Sequence, residues 1–237
     1  MPMTFRFRWI PFIAALCVAA LGFALGQWQT RRALEKEAIE ARMIDRASAP
    51  PLILSSALQH PDDIEFRRVR ASGEFMQDWH VYLDNRPHAG VAGFHLLTPF
   101  KPAGSDSYVL IARGWLPRDP VERTRIPQVA TPAGTVQVEG VARRNTGRVL
   151  QLGDAAPLRP GAIVQNVEIE ALARAAGIRL QPFIIEQGGD MDDGLVRDWP
   201  RPSSGAEKHR GYAFQWYALA LMALVFFVVT GFRRGTR

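Results

Sequence analysis

The sequence predicts a membrane α-helical hairpin of two transmembrane helices, with a β-rich, barrel-like α+β domain between them. Three observations carry this. Trp9–Thr30 and Gly211–Phe232 are each 22 residues long and lack Asp, Glu, Lys and Arg, and a span needs about 20 apolar residues at about 1.5 Å rise per residue. The 180 residues from Arg31 to Arg210 suffice for one domain with its own core. That middle stretch breaks into short alternating runs punctuated by Gly and Pro. The expected division is a first helix over 9–30, a domain over 31–210 and a second helix over 211–232.

Arg6 and Arg8 followed by an apolar run also fit a secretory signal, with Ala24–Gly26 as its cleavage site. The length of the run, and Trp9 and Trp28 at its two ends, favour an uncleaved span. Ala15, Ala19, Gly22 and Gly26 form a small-residue seam. It is either ordinary membrane-helix composition or the face on which another helix packs. Beyond Thr30 the helix continues among charged residues, with Arg31–Glu35 and Lys36–Glu40 as i,i+4 pairs. Pro50-Pro51 ends it.

Strands follow. Residues 64–75 alternate until Arg67-Arg68, where a slip in phase suggests a bulge. Residues 79–85 and 93–100 flank a turn, and 135–144 and 179–187 add further strands. Ser107–Pro117 has a continuous apolar core, the pattern of a strand buried on both faces. In its Arg113-Gly114-Trp115 end, Gly permits a bulge, Trp115 covers the barrel end and Arg113 is placed to meet a carboxylate. One helix interrupts, with Asn166 as its cap, Glu168 and Glu170 at the positive end and Gly177 closing it. Six or so strands and one helix suggest an antiparallel barrel or curled sheet. The stretches 118–134 and 188–207 are expected as exposed loops.

The net charge of +6 does not indicate nucleic acid, because the 29 Lys and Arg are dispersed among acidic residues. A lipid bilayer with anionic headgroups, or an acidic partner surface, suits the excess better. Cys17, the only cysteine, lies in the first apolar segment. The middle domain therefore makes no disulfide, and no CxxCH haem attachment or thiol copper site exists. No GxSxG, P-loop, GxGxxG or HExxH is present, so the protein is not expected to be an enzyme. His80, His88 and His95 would form a zinc or copper site if the strands gathered them, although solvated histidines fit the spacing better. Asp190–Gly194 resembles a calcium loop without its glutamate, and an exposed turn is the simpler reading.

The second span begins unusually. At helical spacing His209, Tyr212, Ala213, Trp216 and Ala220 share a face. Two readings stand. One is an interfacial collar, with Tyr and Trp at headgroup depth and Lys208 snorkelling. The other is a haem site, with His209 as axial iron ligand, Tyr212 and Trp216 stacking beside it and Gln215 donating to a peripheral oxygen. Lys208 and Arg210 would then meet carboxylates. Orientation is left open by charge, since five basic residues flank each side (Arg6, Arg8, Arg233, Arg234, Arg237 against Arg31, Arg32, Lys36, Lys208, Arg210).

The blocks "LGQWQTRR", "GFHLLTPF", "VLIARGWLPR", "EIEALARAAG" and "HRGYAFQWY", in this order between two apolar helices, resemble the surfeit locus protein 1 family of cytochrome c oxidase assembly factors. The resemblance runs from about Leu25 to the second span. Gly26, Trp28, Gln29 and Arg31 match its first-span motif, and Gly93, Thr98, Pro99, Arg113, Gly114, Trp115 and Pro117 its soluble-domain blocks, whose role is expected to be structural. Two positions depart: Ala112 and Lys208 stand where the family commonly has Asn. The resemblance implies both termini in the cytoplasm, an extracytoplasmic (periplasmic) domain and, with no transit peptide before the first span, a bacterial inner membrane. It further implies a chaperone of respiratory-chain biogenesis that binds haem a and assists its insertion into oxidase subunit I, with haem a synthase as a further partner. His209 is then the axial ligand, with Tyr212, Gln215 and Trp216 around the cofactor. The alternative is a haem-free scaffold that stabilises an oxidase intermediate.

Overall fold

The computed structural model describes residues 3–5, 7–54, 57–122, 124–126, 129–151, 155–189, 191–199 and 205–234. Arg6, Asp190, Arg237 and parts of the two expected loops lie outside them. In chain order the elements are β1 (Met3–Phe5), α1 (Trp9–Ser48), β2 (Leu52–Ile53), α2 (Pro61–Ile64), β3 (Arg68–Phe75), β4 (Val81–Leu83), β5 (Gly93–Pro102), β6 (Tyr108–Pro117), β7 (Val136–Arg143), β8 (Ala162–Val164), α3 (Ile169–Ala176), β9 (Leu180–Gln187), α4 (Ala206–Gly231) and β10 (Phe232–Arg234). They form two compact units: Met1–Met43 with Pro202–Arg237, and Ile44–Arg201. The expected 31–210 domain is wider than the second unit, because residues 31–43 belong to α1 and 206–210 to α4.

In the unit Ile44–Arg201, strands β3, β7, β9, β6 and β5 pair in sequence, and β5 returns to β3 through Gly73↔Pro102, Glu74↔Lys101 and Phe75↔Phe100. The ring is closed. β2 adds beside β3, β4 beside β5 and β8 beside β4. The barrel-like, α+β expectation holds, but the antiparallel one does not: β6–β9, β2–β3 and β4–β8 are parallel. Parallel neighbours need a crossover, and the chain between β6 and β9 contains one, with α3 just before β9.

β6 is buried from Val109 to Leu116, as its apolar core predicts. Val109 and Ile111 join Phe75, Phe100 and Phe183 in one core, while Leu110 and Ala112 join Val81, Leu83, Leu172 and Ile184 in another. A core on each face explains why β6 shows no alternation, whereas β3 alternates strictly, with Val69, Ala71, Gly73 and Phe75 inward. The bulge expected at Arg67-Arg68 falls one residue earlier: Phe66, left-handed at φ 66°, and Arg67 together face Ala142, the Phe66 N–H donating to the Ala142 carbonyl and the Ala142 N–H to the Arg67 carbonyl.

The other expected bulge is in place. Leu96 faces Gly114 and Leu97 faces Ala112, so Arg113 is the extra residue. Its guanidinium turns inward, 1% exposed, and meets Asp193 at 3.2 Å. It also donates to Thr131 Oγ1 and the Ala130 carbonyl. Trp115 is buried and donates from Nε1 to the Arg86 carbonyl at 2.7 Å.

Asp193 corrects the loop expectation for 188–207. Residues 191–199 fold back on the barrel: Val196 bridges Trp115, Leu195 packs against Phe94 and Leu116, and Trp199 joins the second core. Burial is the largest single influence on Asp193 and opposes its charge, but the hydrogen bond and charge of Arg197, the Leu195 N–H and the charge of Arg113 together outweigh it and hold the carboxyl below its ordinary value. A carboxylate so engaged is neither a solvated turn residue nor free to ligate calcium.

α3 ends on Gly177 in the left-handed region at φ 66°, as expected. Its cap differs. Glu168 occupies that position, and Asn166 instead accepts from the Val149 N–H and donates to the Val149 carbonyl.

In the other unit, α1 and α4 are each long and apolar enough to cross a membrane. Their large side chains, among them Ile10, Leu21, Phe23, Phe214, Met222 and Phe226, face outward. Buried on α1 are Ala19, Gly22, Gly26, Gln29 and Ala33, and on α4 Ala206, Ala213, Ala220 and Gly231. Small inside and large outside is the arrangement for hydrocarbon surroundings. The seam of Ala and Gly is thus a helix–helix contact. Ala15 sits at its half-buried end.

Candidate functional site at the polar end of the helix pair

The helices run antiparallel. Gly22 approaches Ala220, Gly26 approaches the Tyr217 ring, Gln29 meets His209, and Glu37 meets Arg210. Glycine is required at the second of these contacts, because a Cβ on Gly26 would stand 2.5 Å from Tyr217 Cε1. The spacing of three and four along 19, 22, 26, 29 and 33 keeps one face on α4 throughout. Close backbone approach brings an uncharged polar pair into short contact at the end of the seam.

That pair is Gln29 and His209. Gln29 is 9% exposed, and its Oε1 lies 2.7 Å from His209 Nδ1. A carbonyl oxygen only accepts, so Nδ1 carries the proton and donates. In the neutral ring the lone pair is then on Nε2, which makes no hydrogen bond with the described residues. A neutral imidazole with one nitrogen hydrogen-bonded and the other open is the form that binds a metal.

Around His209 the predicted residues divide. At about 100° per residue, Trp216 lies about 20° from His209 round α4, Tyr212 about 60° and Gln215 about 120°. Trp216 is half-buried and Tyr212 is 54% exposed, so an aromatic surface stands beside the imidazole. Gln215 is exposed on another side of the helix. The structure brings His209, Trp216 and Tyr212 onto one flank and leaves Gln215 off it.

The charges also separate. Arg210 is held by Glu37 through two hydrogen bonds, 2.6 and 2.9 Å, which keep the carboxylate below its ordinary pKa. It lies with Thr30, Ala33, Leu34, Ala213, Phe214 and Tyr217 along a groove of about 400 Å³ on the opposite flank. Lys208 makes no ion pair with the described residues and is exposed. Of the two cations expected to meet carboxylates, Lys208 alone is unengaged. On α1, Glu35 pairs with Arg32 rather than Arg31, and Lys36 and Glu40 form no ion pair with the described residues.

The three histidines of the barrel go separate ways. His80 Nδ1 and Nε2 contact the Thr98 and Thr131 hydroxyls, at 3.1 and 3.3 Å. His88 packs against Trp115 and His95 against Trp199, with ring centroids 5.1 and 5.0 Å apart. Among the described residues no three His, Cys, Asp or Glu side chains gather as a metal group. Burial first, then Arg86 and His88, push the His95 imidazole down to about 4.

Fold and site together define a class: a closed β-barrel carried between two apolar helices, with an imidazole presented at the polar end of the helix pair. Comparison with known proteins makes this specific. The SURF1 family model matches residues 16–221, and the chain belongs to that family. A SURF1-like protein of Caenorhabditis briggsae is 30% identical over 91% of this chain and 74% of its own. One of Rickettsia felis is 25% identical over 92% and 95%. Surfeit locus protein 1 of Mus musculus is 25% identical over 86% and 70%.

Proposed function

We propose that the protein is a non-catalytic assembly factor for haem–copper cytochrome c oxidase, holding haem a on the His209 flank of its helix pair and assisting insertion into subunit I. Family membership supports the coarse reading. The observation that carries the finer one is the open Nε2 of His209, whose Nδ1–H donates to Gln29 Oε1. The residues present fit the group. His209 would ligate the iron, Trp216 and Tyr212 would lie against the macrocycle, and Lys208 would meet a carboxylate. When bound, haem supplies an iron that accepts the imidazole lone pair. Gln215 and Arg210 have no place in this reading, one facing elsewhere and the other engaged by Glu37. The setting is an inner membrane of bacterial type, with the barrel on the outer side and haem a synthase as the source of cofactor.

The test is copurification. Protein from cells that make haem a should carry haem a absorbance, and His209→Ala should lose at least nine-tenths of it. Haem content unchanged in His209→Ala would overturn the ligand assignment. Colourless wild-type protein, with oxidase levels falling on deletion, would establish the haem-free scaffold instead.

A further inference from the structure

We infer that Gln29 is the positioning residue of this site: it fixes the tautomer and ring orientation of His209 and so decides that Nε2 is the nitrogen presented. This rests on the haem-holding reading for its purpose, although the tautomer itself is a property of the ligand-free protein.

Gln29 is the one residue of the α1 seam that is neither Ala nor Gly, among Ala19, Gly22, Gly26 and Ala33. A polar amide nine-tenths buried in such a seam needs a partner, and His209 supplies it across 180 residues of sequence. Gly26 and Ala33, three and four residues to either side, share the buried face that lets the amide reach the imidazole. A free neutral imidazole exchanges its proton between two nitrogens. An acceptor 2.7 Å from Nδ1 removes that freedom. It leaves the lone pair on Nε2, turns it away from α1 and makes it the stronger donor, because the hydrogen bond pushes electron density into the ring. The neighbouring polar contacts do not compete. Thr30 Oγ1 donates to the Gly26 carbonyl and faces Tyr217, and Arg210 holds Glu37, both on the far flank.

The experiment uses the full chain in bilayers with ¹⁵N-labelled histidine. In haem-free wild type, the signals that vanish in His209→Ala should show one protonated, pyrrole-type Nδ1 and one pyridine-type Nε2. Gln29→Met, of similar length without an acceptor, should spread His209 over both tautomers. Gln29→Glu, which keeps an acceptor at the same reach, should keep the proton on Nδ1. A protonated Nε2 in neutral wild type, or no change in Gln29→Met, overturns the inference. In pigment-bearing protein, Gln29→Glu should lower the haem reduction potential relative to wild type and Gln29→Met should raise it. Equal potentials in all three, where His209→Ala loses the pigment, would also overturn it. If His209→Ala keeps its pigment while the ligand-free spectra come out as described, the haem reading fails and the assignment of Gln29 stands.

Discussion

The barrel fills its interior with Phe94, Phe100 and Phe183, all 0% exposed, whereas the helix pair closes on Ala19, Gly22, Gly26, Ala213 and Ala220. The two units use opposite side-chain sizes because they face different solvents. In water, each Å² of apolar surface removed is worth about 25 cal/mol, so large side chains go inside. In hydrocarbon that gain vanishes, and helices hold together through close contact, for which Gly and Ala serve best. The treatment of polar groups differs in the same way. The barrel buries an Arg113–Asp193–Arg197 cluster held by ion pairs, while the helix pair places the short Gln29–His209 hydrogen bond at the end of its seam and leaves the Glu37–Arg210 pair more exposed.

Three perturbations test that contrast. The largest effect is expected in the barrel core: Phe183→Ala should cost about 3–5 kcal/mol, read as a lower denaturant midpoint for barrel unfolding. A loss below about 1 kcal/mol would show that the cavity collapses. Next is acid. His95 titrates near 4 when folded against about 6.5 when unfolded, so the unfolded chain binds the extra proton between these values. Stability should be full above pH 6.5 and fall as pH drops toward 4, by up to about 3 kcal/mol. His95→Gln should flatten that slope, and an unchanged slope would place the titration elsewhere. The smallest effect is expected in the helix pair. Gly26→Ala overpacks the Tyr217 ring and should weaken pairing by about 1–3 kcal/mol, seen as earlier separation in SDS titration with the barrel midpoint unmoved. Tyr217→Ala in the same chain should recover much of it.

Where local chemistry dictates structure, the sequence was legible. A continuous apolar core marked β6, Gly177 marked the end of α3, and the Arg113-Gly114-Trp115 run foretold the bulge and a carboxylate for Arg113. What escaped were partners far along the chain. Asn166 looks like a cap, but its amide goes to Val149, and the acidic run near 193 looks solvated until Arg113 and Arg197 claim it. Periodicity placed His209, Tyr212 and Trp216 together, but did not reveal that Gln29 would engage the imidazole or that Glu37 would take Arg210. Helical spacing also separates Gln215 from His209 by about 120°, which the motif resemblance alone did not convey.

Closure of the five-stranded ring has a consequence for the life of the chain. An open sheet offers its unpaired edge to any other strand, including another copy of itself. Here β3 and β5 complete the ring, and the outermost strands are β2, with two residues, and β8, with three. Neither is long enough to template an intermolecular sheet. A domain on a chain whose two helices are fit to cross a membrane is thereby guarded against edge-to-edge pairing with other copies.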